Sequence, residues 1–321
     1  MKVHDIERLP SLQYGVPLID VSALLKSTAD RKSVANQLRI ACSESGFFYA
    51  TNHGVPQSLM NAVFAEARSF FDLSMDEKIV LDLAHSSVKH GYESLRAQTL
   101  EAGASPDVKE GFYIGRETPA DDVYRGPNQW PIRRPEFRAA MEDYYGHMLH
   151  LAEALMRGIA LSLDLDENRF ADFCRDPYAR LRLLHYPPNT APGEKGAGAH
   201  TDFGGLTILL QDNCGGLQVQ DPSTGTWIDA TPVAGAFVVN LGDMISRWTN
   251  DKYRSTLHRV INSSGRERYS IPFFFHGNPE HTVECIPTCL DSGEAPKYAR
   301  VSVAEHFKKK FGSSYVKAGS V

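Results

Sequence analysis

The chain has 321 residues, 42% of them hydrophobic and 23% charged, with a formal net charge of -5. That composition suits a globular protein with a sizeable core. Mild acidity without a basic block gives no electrostatic support for nucleic-acid binding, and no apolar run reaches membrane-spanning length.

The first residues, Met1 to Arg8, lack the apolar segment of a signal peptide. Cys42, Cys174, Cys214, Cys285 and Cys289 are odd in number and include no Cys-x-x-Cys pair. Reduced thiols and a cytoplasmic location are therefore expected, not a disulfide framework. Residues 16–20 read as a short strand. Residues 32–45 read as an amphipathic helix with Val34, Leu38 and Ala41 or Cys42 on one face and Gly46 as its stop. A β-rich stretch at 46–51 leads into a turn at Asn52-His-Gly54. A second helix is expected over 57–72, and Ser74 with Glu77 forms a capping box that opens a short third one. Residues 85–128, with glycines, prolines and scattered charges, read as loops and short elements. A long helix is expected over 134–163, with Met141, Tyr145, Leu149, Leu155 and Ile159 along its apolar side.

Beyond it the hydrophobic period changes from 3.6 to 2. Strands are expected at 179–186, 206–211, 216–220, 236–240, 256–262 and 269–275. Helices followed by strands mean α+β, or a β-barrel wearing helices on its outside.

Chemistry concentrates in this second half. In a strand, His200 and Asp202 would point the same way and could hold one ion together. Fifty-five residues lie between Asp202 and His258. Two imidazoles and one carboxylate fill one face of an octahedral Fe(II) and leave the other face open, although zinc can occupy the same ligands. Ten residues beyond His258, Arg268 and Ser270 repeat the i, i+2 spacing. A planar guanidinium fork and a hydroxyl suit a carboxylate. The apolar run Tyr269-Ser-Ile-Pro-Phe-Phe-Phe275 argues against an exposed strand, and a buried arginine needs a partner. His53, His185, His276 and His281 read as structural, with His185 on the far face of its strand and the last two on the rim.

These motifs, together with Gly46-Phe-Phe-Tyr49, Asn52-His-Gly-Val55, Asn240-Leu-Gly-Asp243 and Ser255-Thr-Leu-His258, resemble the Fe(II)- and 2-oxoglutarate-dependent dioxygenases of the isopenicillin N synthase-like family. The resemblance runs from about Val16 to Pro279 and includes thymine hydroxylase-like members acting on small molecules. It implies a mainly β fold with flanking helices, built on a double-stranded β-helix (jelly-roll) core. Residues 1–165 would be a helical and mixed region packed on the barrel, 166–280 the oxygenase core, and 281–321 a carboxy-terminal segment with a helix, all in one catalytic unit. It implies Fe(II) on His200, Asp202 and His258, with 2-oxoglutarate and O2 as cosubstrates. The far carboxylate of 2-oxoglutarate would meet Arg268 and Ser270, and the Tyr186 hydroxyl would also reach the cosubstrate. Leu184 stands where the family often has asparagine, so one polar contact is absent.

Oxidative decarboxylation of 2-oxoglutarate to succinate and CO2 would be coupled to hydroxylation or a related oxidation. Arg-x-Ser also occurs in family oxidases that use no oxoacid, and a non-catalytic small-molecule receptor on the same barrel is a further alternative. Strand alternation carries the substrate reading. If Tyr186 points inward, so do Leu184 and Arg182; if Arg268 and Ser270 do, so do Pro272 and Phe274. With Phe203 beside Asp202, the substrate residues are expected to be Arg182, Phe203 and Phe274. Whether Arg182 meets substrate or an internal carboxylate is open at this point. The segments 106–113 and 126–131 either border the pocket or pack on the barrel.

Overall fold

The computed structural model describes residues 11–13, 15–26, 30–119, 124–188 and 194–314. The expectation about Met1 to Arg8 lies outside them. In chain order the amino-terminal half runs β1 (Ser11–Gln13), β2 (Val16–Asp20), α1 (Ser22–Lys26), α2 (Arg31–Glu44), β3 (Phe47–Thr51), α3 (Gln57–Phe71), α4 (Met75–Ile79), β4 (Gly91–Glu93), β5 (Glu110–Ile114), α5 (Pro135–Ser162) and α6 (Ala171–Cys174). There follow β6 (Tyr178–Tyr186), β7 (Ala197–His200), β8 (Leu206–Gln211), β9 (Leu217–Gln220), β10 (Trp227–Asp229), β11 (Phe237–Leu241), α7 (Asp243–Trp248), β12 (His258–Val260), β13 (Arg268–Gly277), β14 (Thr282–Val283), β15 (Val301–Ser302) and α8 (Val303–Ser314).

Two sheets make the double-stranded β-helix. The larger has the order β1-β2-β3-β11-β8-β13-β6-β5-β4, and the smaller β10-β9-β12-β7. Strands from the first 165 residues extend the larger sheet at both ends. Its outer face carries the helices. There Leu38 of α2, Val63 and Phe70 of α3, and Met141, Met148 and Met156 of α5 are buried with Leu181, Leu183 and Phe273. A second, smaller core lies between the sheets and includes Phe47, Leu184, Tyr186, Leu217, Val219 and Val260. The methionines of the long helix therefore belong to packing. The expected capping box is present, with the Ser74 side chain accepting from the Glu77 backbone and the Glu77 carboxylate accepting from the Ser74 backbone.

The stretch 85–128 consists of loops and short elements, as expected. It contributes β4 and β5, and β5 pairs with β6 from Leu181 to His185. Alternation is invisible there because all five residues of β5 are buried. Its one charge, Glu110, accepts from Lys78 Nζ at 3.0 Å and Tyr92 Oη at 2.6 Å, and bonds His185 Nδ1 at 2.7 Å. That network also puts His185 on the face away from Tyr186, as the strand period requires.

Gly46 closes α2 and opens β3. Its φ is +70°, and a Cβ there would lie 2.1 Å from the Arg254 carbonyl oxygen. Alanine would meet both the left-handed backbone penalty and a backbone collision. Gly46→Ala is expected to cost more than about 2 kcal/mol of stability, in the range of strain and overpacking mutants. Urea unfolding checks this, and a wild-type midpoint would contradict it.

Candidate metal centre and anion clamp

His200, Asp202 and His258 come together between the two sheets, their ligand atoms all within 4.8 Å of one another. β7 and β12 pair with His200 opposite His258, so the sheet itself sets the two imidazoles side by side, ring centroids 4.3 Å apart. The i, i+2 strand argument for His200 and Asp202 is corrected here. β7 ends at His200, and Asp202 lies in the following turn. That turn is held from outside the strand. The Asp243 N–H donates to the Asp202 carbonyl at 2.9 Å. Gly242 lies so close that a Cβ would be 2.3 Å from the Gly204 carbonyl oxygen. This close approach is the physical reason for the glycine in Asn240-Leu-Gly-Asp243.

Each imidazole is aimed by its other nitrogen. His200 Nδ1 donates to the Gly198 carbonyl at 2.7 Å and His258 Nδ1 to the Thr256 carbonyl at 3.1 Å. A carbonyl only accepts, so the proton sits on Nδ1 and the Nε2 lone pair is left for the site. The Nε2 atoms are 3.9 and 3.8 Å from the Asp202 oxygens, beyond hydrogen-bond length and within the span of a shared ion. Burial, with His258 alongside, pushes the His200 pKa down to about 3, so the ring is neutral and ready to ligate at pH 7. Burial alone would raise the Asp202 pKa, but the two imidazoles, Asn240 and Thr207 hold it below the usual value. Thr207 Oγ1 and Asn240 Nδ2 donate to its Oδ2 at 2.5 and 2.8 Å. A neutral His200 imidazole, a second imidazole aimed by its Nδ1, and an ionised, oriented carboxylate make a donor set that fits Fe(II).

The free edge of β7 is tied down by carboxylates from the preceding loop. Asp107 Oδ1 accepts from Gly198 N at 2.8 Å, and Glu101 Oε2 from Ala199 N at 2.9 Å.

Arg268 is 1% exposed. Its Nε donates to the Gly215 carbonyl at 2.6 Å, and its guanidinium carbon lies 4.7 Å from the Tyr186 ring centroid. Both terminal nitrogens are buried without a hydrogen-bond partner. A fork with two orphaned donor groups fits a carboxylate. Ser270, also 1% exposed, follows on the same face of β13.

The alternation argument for the walls agrees with the geometry. One cavity lobe of about 70 Å³ is lined by Arg182, Leu184 and Tyr186 of β6, by Arg268, Ser270, Pro272 and Phe274 of β13, and by His200, Asp202 and His258. A second lobe of about 100 Å³ shares His200, Asp202, Arg182 and Phe274 and adds Phe203, Tyr113 and Arg180. Arg182 meets an internal carboxylate. It lines the cavity, and its guanidinium is ion-paired with Glu93 while donating to Gln98 at 3.2 Å.

Of segment 106–113, Lys109 and Tyr113 line the cavity. Lys109 pairs with Asp107, and burial with Arg182 nearby still lowers its pKa to about 8. Segment 126–131 braces loops instead, with Gln129 Nε2 donating to the carbonyls of Leu81, Asp82 and His90. His276 is not on the rim. It is 8% exposed and lines the second lobe beside Phe307 of α8, ring centroids 4.4 Å apart, because β13 continues past Phe275. His53 and His281 make structural bonds, to Gly235 and to Asp172.

Sequence reasoning missed Arg180, His276 and Phe307. Arg180 carried a signal, since it is one further alternation step from Arg182. Glu93 carried none.

Comparison with known proteins places these features in a wider set. Residues 16–133 match the family described as non-haem dioxygenase in morphine synthesis N-terminal, and residues 177–277 match the 2OG-Fe(II) oxygenase superfamily. The chain is 44% identical to the 2-oxoglutarate-Fe(II) type oxidoreductase hxnY of Emericella nidulans, over 94% of this chain and 91% of that protein. It is 41% identical to the 2-oxoglutarate-dependent dioxygenase citB of Monascus ruber, over 94% and 96%. Its fold superposes on Neurospora crassa thymine 7-hydroxylase in complex with alpha-KG and thymine, TM-score 0.83, at 30% identity over 93% of this chain and 96% of that one.

Asn240 touches the carboxylate Asp202 and lies outside the ligand trio. Asn240→Ala is expected to weaken binding of a divalent cation about 10–100-fold, the usual effect of removing a group that orients a ligand. Competition against a metal-binding dye measures it, and unchanged affinity would contradict the geometry.

Proposed function

This chain belongs to the 2OG-Fe(II) oxygenase superfamily, and from that premise we propose a role for each side chain around the cavity. The activity is that of an Fe(II)- and 2-oxoglutarate-dependent dioxygenase acting on a small molecule. One O2 is consumed as 2-oxoglutarate becomes succinate and CO2 and the substrate is oxidised. O2 is the oxidant, 2-oxoglutarate gives two of the four electrons it takes, and bound Fe(II) would supply the chemistry that activates it.

In our reading His200, Asp202 and His258 hold the iron, with Thr207 and Asn240 fixing the carboxylate. Arg268 takes the far carboxylate of 2-oxoglutarate, Ser270 adds a hydroxyl, and Tyr186 lends its ring to the guanidinium and its hydroxyl to the cosubstrate. The observation that carries this is the Arg268 fork, buried with both terminal nitrogens unmet. Leu209, Leu217 and Val260 line the same lobe. They keep water from the clamp, where a charge-assisted pair is then strong. Arg182, Phe203 and Phe274 border the substrate. The two lobes are small against ordinary ligand pockets, which favours a small, flat molecule held between the rings of Phe203 and Phe274. The thymine complex of the Neurospora relative is consistent with that size.

Residues 1–165, 166–280 and 281–321 act as one catalytic unit in this reading. The sheet shared by the first two supports it, as does the packing of Phe307 of α8 on His276. The net charge of -5 speaks for small-molecule substrates over nucleic acid. A cytoplasmic location is supported by five free cysteines. No helix among the described residues is long and apolar enough to cross a membrane.

His258→Ala is expected to abolish 2-oxoglutarate turnover, and stoichiometric iron with wild-type succinate formation in that variant would refute the site. Arg268→Lys replaces a fork by a point charge. It should raise the 2-oxoglutarate requirement more than about tenfold, or about 1.4 kcal/mol. O2 uptake by the wild type that ignores added 2-oxoglutarate would overturn the reading.

A further inference from the structure

Among the described residues three cations other than Arg268 line the cavity, and they are not equivalent. Lys109 is ion-paired with Asp107 and Arg182 with Glu93. Arg180 has no such partner. It is 7% exposed, and its Nη2 donates to the Val88 carbonyl at 2.6 Å. Its Nε is buried without any hydrogen-bond partner. Among the described residues no carboxylate lies within ion-pair distance of it. Its neighbours are Tyr113 and Tyr178, with guanidinium carbon to ring-centroid distances of 5.6 and 5.2 Å. Ring faces relieve a buried charge but cannot accept a hydrogen bond in the guanidinium plane. The nearby imidazoles do not balance it either. Burial and Arg180 together depress His276 to about 3 and His90 to about 4, so both rings are neutral at pH 7.

Arg180 lines the second lobe together with His200, Asp202, Phe203 and Phe274. It faces the cavity for the reason Arg182 does, since residues two apart on β6 share a face. A buried arginine whose charge is not met by the fold asks for an anion from outside. Among the described residues the one carboxylate lining this lobe, Asp202, belongs to the metal trio, and a bound divalent ion adds positive charge.

We propose that Arg180 is a specificity-determining residue that receives a carboxylate of the substrate, so that the primary substrates are small, flat carboxylic acids. This rests on the oxygenase reading above and refines it. Arg182, already neutralised by Glu93, then acts as a positioning residue against the Tyr113 ring, 4.4 Å from its guanidinium carbon, and not as the anion's main partner.

The test compares benzoate with benzamide, the same ring with and without the charge. Enzyme loaded with Fe(II) and saturating 2-oxoglutarate is kept free of oxygen, so that the Arg268 clamp is filled and cannot take the probe. Ligand-observed NMR titration then reads both affinities. Benzoate is expected to bind at least tenfold more tightly than benzamide to the wild type. Arg180→Gln should remove that preference, and Arg180→Lys should keep part of it. Equal binding of the two probes to the wild type, no saturable benzoate binding at millimolar concentration, or an undiminished preference in Arg180→Gln would each overturn the proposal. The wild-type comparison stands even if the glutamine variant does not fold. Failure of the oxygenase reading would show separately, as the absence of Fe(II)-dependent succinate formation from 2-oxoglutarate in air.

Discussion

Strands β6 and β13 pair antiparallel with Arg268 opposite Tyr186 and Ser270 opposite Leu184, and the cationic and aromatic wall of the cavity depends on that register. It brings the Arg268 guanidinium over the Tyr186 ring. It turns Arg180, Arg182 and Leu184 toward the cavity together with Pro272 and Phe274. A slip of one residue would send all of these into the helical core and bring Leu183, His185 and Tyr269 inward. Register is strongly specified because both faces are buried: the outer one by α3 and α5, and the inner one by the smaller sheet. His185 reinforces it by stacking on Tyr269 at 4.8 Å while bonding Glu110.

The second constraint is electrostatic. A jelly roll of this size hides several cations near a metal trio, and burial of a charge is costly unless it is met. The fold meets Lys78 with Glu110, Lys109 with Asp107 and Arg182 with Glu93. These carboxylates come from β4, β5 and the loop between them. That insertion therefore does three jobs: it neutralises the wall, caps the β7 edge that carries His200, and supplies Tyr113 to the lining. Among the described residues two buried arginines have no carboxylate partner, Arg268 beside Ser270 and Arg180 opposite Phe274.

How much of this could be read from the sequence follows the range of each interaction. The pairing of His200 with Asp202 and of Arg268 with Ser270 is legible because each is a short spacing on a strand or a turn, whereas the distant His258 is legible only through flanking motifs that resemble a known family. The face assignments of Tyr186, Leu184 and Arg182 follow from a period of two. Strand alternation puts Asp202 on the right side for an incomplete reason, since Asp243 and Gly242 position it after β7 has ended. β5 is hidden because Glu110 breaks the apolar run, and only the fold reveals Lys78, Tyr92 and His185 around it. That Arg182 is neutralised and Arg180 is not depends on Glu93, whose contact is 89 residues away in sequence, and no local pattern encodes it. His276 and Phe307 enter the lining because β13 outruns its apolar segment and α8 folds back over it.

The claim that the buried Arg268 fork exists to hold a distal carboxylate is tested most directly by removing that carboxylate from the ligand. Calorimetric titration of the Fe(II)-loaded, oxygen-free protein with 2-oxoglutarate and with 2-oxopentanoate compares two oxoacids that differ only in the group at C5. 2-Oxoglutarate is expected to bind at least about a hundredfold more tightly, matching the roughly 2–3 kcal/mol of a buried charge-assisted pair. Equal affinities for the two oxoacids would contradict the account.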